Sequence, residues 1–104
     1  MTNQTQNSIK YVIYCADYQP IFPSCEYQED MLIQMAEFEE LNIVGIYSDK
    51  PNKTASFQNI LRLIKNNKAQ GILVWDISMI PQISEVDTLI NDNKIANIKP
   101  FIAE

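Results

Sequence analysis

Histidine is absent from the 104 residues, and arginine occurs once, at position 62. The first absence removes the commonest general acid or base, and the second removes any arginine cluster able to stabilise developing negative charge. Long apolar runs are missing too. Nothing approaches the roughly 20 residues needed to cross a bilayer, and the opening "MTNQTQNS" lacks the apolar core and small-residue cleavage site of a secretory signal. A soluble, cytoplasmic protein without membrane contact is expected. Cysteine is scarce: Cys15 and Cys25 are too few and too loosely spaced for a zinc ribbon or a redox pair, so reduced, partly buried thiols are expected. No internal repeat, low-complexity tract or interdomain linker appears.

What is present suits one domain. Hydrophobic residues make up 46% of the chain, enough for one core and not for two. The reading is a flexible tail over 1–8 and a single unit over 9–104. Net charge is −5, which opposes nonspecific attraction to phosphate backbones. The charge is unevenly spread: residues 11–49 carry eight acids and no base, whereas 50–68 carry Lys50, Lys53, Arg62, Lys65 and Lys68 and no acid. These five are the nucleic-acid-binding candidates, although two oppositely charged solvated faces would give the same pattern. Duplex DNA binding is expected to be weak or absent.

"KYVIYC" (10–15), "IVGIY" (43–47) and "GILVW" (71–75) are short β-branched and aromatic runs of the kind found in buried parallel strands, and "KPFIA" (99–103) reads as a last strand. Between the first two, Ser24 caps a helix with Met31, Leu32, Met35 and Phe38 on one face, ending near Leu41 and Asn42. Phe57, Ile60, Leu61 and Ile64 mark a second helix that "NNKAQG" closes, and a weaker pattern covers 83–92. The alternation predicts an α/β fold, three layers deep, with a mostly parallel sheet of four or five strands and helices on both faces. Ligands in such sheets bind beyond the carboxyl ends of the strands. Asp17, Asp49 and Asp76 follow the first three strands, and together they could hold Mg²⁺ or a small molecule; loop aspartates of this kind are also ordinary turn residues. Trp75 and Tyr47, near that edge, read as strand core and rim.

In order and spacing, "YVIYC", "SCEYQEDML", "IVGIYSDK", "SFQNIL" and "GILVWDISMI" resemble the catalytic domain of serine recombinases, the resolvase and invertase group, over about nine-tenths of the chain. That resemblance implies a resolvase-like fold and a link to DNA recombination or a mobile genetic element. It also implies a serine nucleophile among arginines, and at the matching positions this chain has Ala16 and Tyr18 after the first strand, Thr54 before the second helix, and Ser78, Met79 and Gln82 in the loop after the third strand. Tyr18 as a substitute nucleophile would still need the missing arginines and an acid or base. Ser24 and Ser78 read as a helix cap and a loop hydroxyl.

The expectation is therefore a catalytically inactive recombinase-like domain, not an enzyme, without a cofactor, acting as an accessory or regulatory protein-interaction module. The alternatives are an Mg²⁺- or small-molecule-binding domain and a weak DNA-binding protein. Family members continue into a long helix where this sequence ends at "PFIAE". Apolar residues such as Ile80, Ile83 and Ile95 are on that ground expected to be covered by self-association or by a related recombinase.

Overall fold

The run Lys10–Ala16 forms β1, and every residue after Lys10 is buried, as a strand covered on both faces requires. The computed structural model describes residues 9–17, 21–51 and 53–102; the expected tail over 1–8 and Tyr18 lie outside them. Strands β2 (Asn42–Asp49), β3 (Gly71–Val74) and β4 (Asn97–Pro100) join β1 in a sheet of order β2-β1-β3-β4, with every pairing parallel. The crossovers are α1 (Cys25–Phe38), α2 (Ala55–Lys65) and α3 (Ile83–Asn91), the last preceded by a 3₁₀ turn at Ile77–Met79. The expected α/β architecture is thus present, with four strands among the described residues.

Alternation along β1 divides the core. Val12, Tyr14 and Ala16 meet Phe57, Ile60, Leu61 and Ile64 of α2 and Val86 and Leu89 of α3, while Tyr11, Ile13 and Cys15 meet Leu32 and Ala36 of α1. All four apolar residues assigned to α2 are buried, as expected. Helix α1 departs from expectation. Its buried stripe is Gln28, Leu32 and Ala36, and Phe38 is 88% exposed. The stripe keeps i, i+4 spacing, but it is set by an anchored polar residue, Gln28, which turns Phe38 outward. The last strand also lies earlier than expected. Lys99 and Pro100 pair with Leu73 and Val74, after which Phe101 leaves the sheet to stack on Trp75 at 4.6 Å.

In β2, Tyr11 pairs with Ile43 but Val12 pairs with Gly45, so Val44 is an extra, bulged residue. The bulge puts Ile43 and Ile46 in register with Tyr11 and Ile13, on the α1 side of the sheet. Gly45 and Gly71 each lie under a tyrosine ring. A Cβ at Gly71 would stand 2.5 Å from the Tyr11 ring, and one at Gly45 would stand 2.8 Å from Tyr47 Cε1. Both glycines serve close approach. The left-handed positions after α1, α2 and α3 consequently fall on Glu40, Asn67 and Asn93. Among the described residues, no helix is long and apolar enough to cross a membrane.

Candidate functional site

The sheet order brings the ends of β2, β1 and β3 side by side at the carboxyl edge, so Asp49, Asp17 and Asp76 stand at one end of the molecule. Asp49 closes β2 and is buried. Its Oδ1 accepts from the Ser56 N–H at 2.9 Å, and its Oδ2 accepts from the Phe57 N–H at 3.0 Å and from the Tyr14 hydroxyl at 2.9 Å. Thr54, next to α2, makes no side-chain cap, so a carboxylate from the preceding strand caps the helix instead. Asp76 is committed to its own turn, where Oδ1 accepts from the Ser78 N–H at 2.9 Å and from Ser78 Oγ at 2.8 Å. The Asp17 N–H reaches the Asp49 carbonyl at 3.4 Å.

This arrangement corrects the expected metal set. No group of three His, Cys, Asp or Glu side chains able to hold a metal occurs among the described residues. The topology does align the three aspartates, but the helix cap draws the Asp49 carboxylate toward α2 and the turn holds that of Asp76.

Gln28 is the residue that the pattern reading missed. Fully buried, it accepts from the Ala16 N–H at 3.3 Å and donates to the carbonyls of Ala16 at 2.8 Å and Pro23 at 2.7 Å. One amide thereby fastens the end of β1 to the segment entering α1. A glutamine among the apolar positions of a helix was the available signal, because an uncharged amide is buried only when it is hydrogen-bonded. Ser24 caps α1 as expected, accepting from the Tyr27 N–H at 3.3 Å.

The other positions singled out by resemblance have separate surroundings. Ala16 is buried at the end of β1, Thr54 is half-buried before α2, and Ser78 is exposed in its turn. Met79 is part of the core against α2 and α3. Gln82 precedes α3 with left-handed backbone, φ 54° and ψ 51°, and its buried Oε1 takes no hydrogen bond among the described residues. Trp75 lies in the core, stacked on Phe101 and edge-on to Tyr27 at 5.9 Å. Ile80 and Ile95, expected to need a partner, are already buried in the monomer; of the three isoleucines proposed, only Ile83 is exposed.

The five cations do not form one patch. Lys50 and Lys53 precede the amino end of α2, while Arg62 and Lys68 flank its carboxyl end. Lys65 is turned toward Glu85 of α3 at 3.7 Å. Arg62 and Lys68 line an open groove of about 300 Å³ with Tyr47, Asn59, Leu63 and Asn66. A second groove, of about 320 Å³, lies between α1 and β2, lined by Ile33, Ala36, Leu41, Ile43 and Ile46 with Glu37 and Glu40 at its rim. Burial pushes the Cys15 thiol up to about 12, and it raises Cys25 above its ordinary value with help from the charge of Asp17. Both thiols are therefore poor nucleophiles near neutrality.

No protein-family model matches the sequence, and no curated protein sequence does either. Solved structures match the fold closely. The C-terminal catalytic domain of ISC1926 TnpA, an IS607-like serine recombinase, superposes with a TM-score of 0.72 at 14% identity, over 92% of this chain and 72% of its own. The N-terminal catalytic domain of TP901-1 integrase gives 0.67 at 24% identity, over 86% of this chain and 75% of its own. A resolvase family site-specific recombinase from Streptococcus pneumoniae gives 0.71 at 20% identity, over 88% and 72%. The chain therefore has the fold of serine-recombinase catalytic domains. The expectation that it is not an enzyme is corrected by the same finding: the fold it shares is that of catalytic domains, two of them so described, and it supports no classification as a non-enzyme.

Proposed function

We propose that this chain serves DNA recombination as a recombinase-fold subunit, with an accessory or regulatory share in the reaction, and that it works by joining a second such subunit. That subunit is another copy or a related recombinase of a mobile genetic element. The observation that carries the reading is the correspondence of fold with three recombinase domains over most of the chain.

The surface supports association. Val44 and Ile46, both more than two-fifths exposed on edge strand β2, adjoin the apolar groove beside α1, and Phe38 projects from the end of that helix. Apolar area of this kind on a small domain is commonly buried by a partner. Sedimentation at tens of micromolar, with and without a full-length serine recombinase, tests the proposal. A concentration-dependent dimer or a mixed complex is expected. A single 12.0 kDa species under every condition would overturn it.

A further inference from the structure

The groove at the carboxyl end of α2 sets two cations and an aromatic ring together in a chain of net charge −5. Its lining of Tyr47, Asn59, Arg62, Leu63, Asn66 and Lys68 includes no acid. Two lysines on the surface have carboxylate partners: Lys65 faces Glu85, and Lys99 meets Glu39 at 3.1 Å. Arg62 and Lys68 have none among the described residues. Arg62 Nη1 donates to Asn59 Oδ1 at 2.7 Å, which lays the guanidinium along the helix and leaves its other N–H groups for an acceptor.

A helix end by itself accounts for part of this. Arg62 and Lys65 fall in the last turn of α2, where the dipole favours positive charge without any ligand. That argument reaches neither Lys68, which lies past the helix, nor Tyr47, which comes from β2. The Tyr47 ring is held in place by Gly45, over which it lies so closely that a Cβ there would meet it at 2.8 Å.

We propose that this groove binds a nucleotide, the phosphate meeting Arg62 and Lys68 and the base lying against Tyr47, with Asn59 and Asn66 offering amide hydrogen bonds. Guanidinium and ammonium are the usual phosphate partners, and a tyrosine ring is a sequence-tolerant surface for a base. A volume of about 300 Å³ suits one nucleotide rather than a length of duplex. The nucleotide comes either free or as one residue of a DNA single strand, since both present the same phosphate and ring. The site is independent of the α1–β2 face proposed for association.

Amide NMR titrations of the whole chain test the proposal with four probes: thymidine 5′-monophosphate, thymidine, inorganic phosphate and a single-stranded oligothymidylate of roughly ten residues. Shifts confined to Tyr47, Asn59 and residues 62–68 are expected with the monophosphate and the oligonucleotide. Weaker or no shifts are expected with thymidine and with phosphate. Saturation by the oligonucleotide alone would identify the strand as the source, and similar affinity for the monophosphate would identify the free nucleotide; either supports the site.

Arg62→Ala with Lys68→Ala should weaken binding about tenfold or more, whereas Lys50→Ala with Lys53→Ala should leave it within about twofold. Tyr47→Phe should retain binding and Tyr47→Leu should lower it several-fold. Because Tyr47 also packs on the core, the melting temperature of each variant is read alongside. The proposal is overturned if no probe shifts these residues at millimolar concentration. It is equally overturned if inorganic phosphate binds as tightly as the nucleotide, or if the Arg62 and Lys68 pair can be removed without effect.

Discussion

The two faces of the sheet are built on different terms. Toward α2 and α3 the core is broad and apolar, running from Val12 and Tyr14 through Phe57, Ile60, Leu61 and Ile64 to Val86 and Leu89. Toward α1 it is a small cluster around Tyr11, Ile13, Cys15, Leu32 and Ala36, and the helix is tied in by the amide of Gln28. The first face is secured by area. The second relies on a few directional bonds and leaves Phe38, Val44 and Ile46 to solvent. A helix with a full apolar stripe needs no partner outside the monomer, while one held by three hydrogen bonds can leave apolar surface free for another molecule.

Phe57→Ala should break the stronger face most severely, costing about 3–5 kcal/mol, because it empties the space beneath the edge of the Tyr14 ring 5.0 Å away. Equilibrium denaturation measures it, and a loss near that of an exposed substitution would refute the contrast between the faces. Asp49→Ala removes the acceptor for two N–H groups of α2 and the bond of the Tyr14 hydroxyl to this carboxylate, so a loss of about 2–4 kcal/mol is expected. Asp49→Asn should recover part of it.

On the α1 face, Gln28→Ala should cost about 1–3 kcal/mol and speed amide exchange at Ala16, leaving exchange in α2 unchanged. Cys15 gives that face a pH signature. Burial pushes the folded thiol up to about 12, well above the ordinary thiol range of the unfolded chain, so between the two the unfolded chain binds fewer protons and stability falls as pH rises. The loss should begin above pH 9 and be smaller in Cys15→Ala, where only the raised Cys25 thiol still contributes. Smallest in stability is Ile46→Lys, within about 0.5 kcal/mol, yet it should shift sedimentation toward monomer. An unchanged association state would remove the α1–β2 face from the proposed interface.

Elements whose residues speak through hydrophobic periodicity were legible: the first three strands, and α2 with its four buried residues. Helix α1 was legible in existence and start but not in orientation, because its burial follows Gln28, and a polar anchor contributes nothing to an apolar pattern. The candidate site was less accessible still. Three aspartates after three strands were visible as spacing, but whether a carboxylate faces an ion or a helix terminus depends on the backbone a layer away. Asp49 caps residues seven and eight positions further on, a separation for which no local rule exists. Likewise, the five cations formed one run in sequence but are divided in space, since α2 keeps Lys50 and Lys53 apart from Arg62 and Lys68 and turns Lys65 toward Glu85.

The bulge at Val44 limits the kinds of assembly open to this chain. A straight edge strand offers an uninterrupted row of N–H and C=O groups to which further strands add without end, the route to fibres. Here the ladder of β2 is broken and bent near its start, and at the opposite edge β4 ends in Pro100, which has no N–H to give. Growth by backbone pairing is thus discouraged at both margins. The association proposed above would then proceed through side chains on a surface of fixed extent and stop once that surface is covered, so the same residue that places Ile43 and Ile46 side by side favours complexes of finite size over open-ended ones.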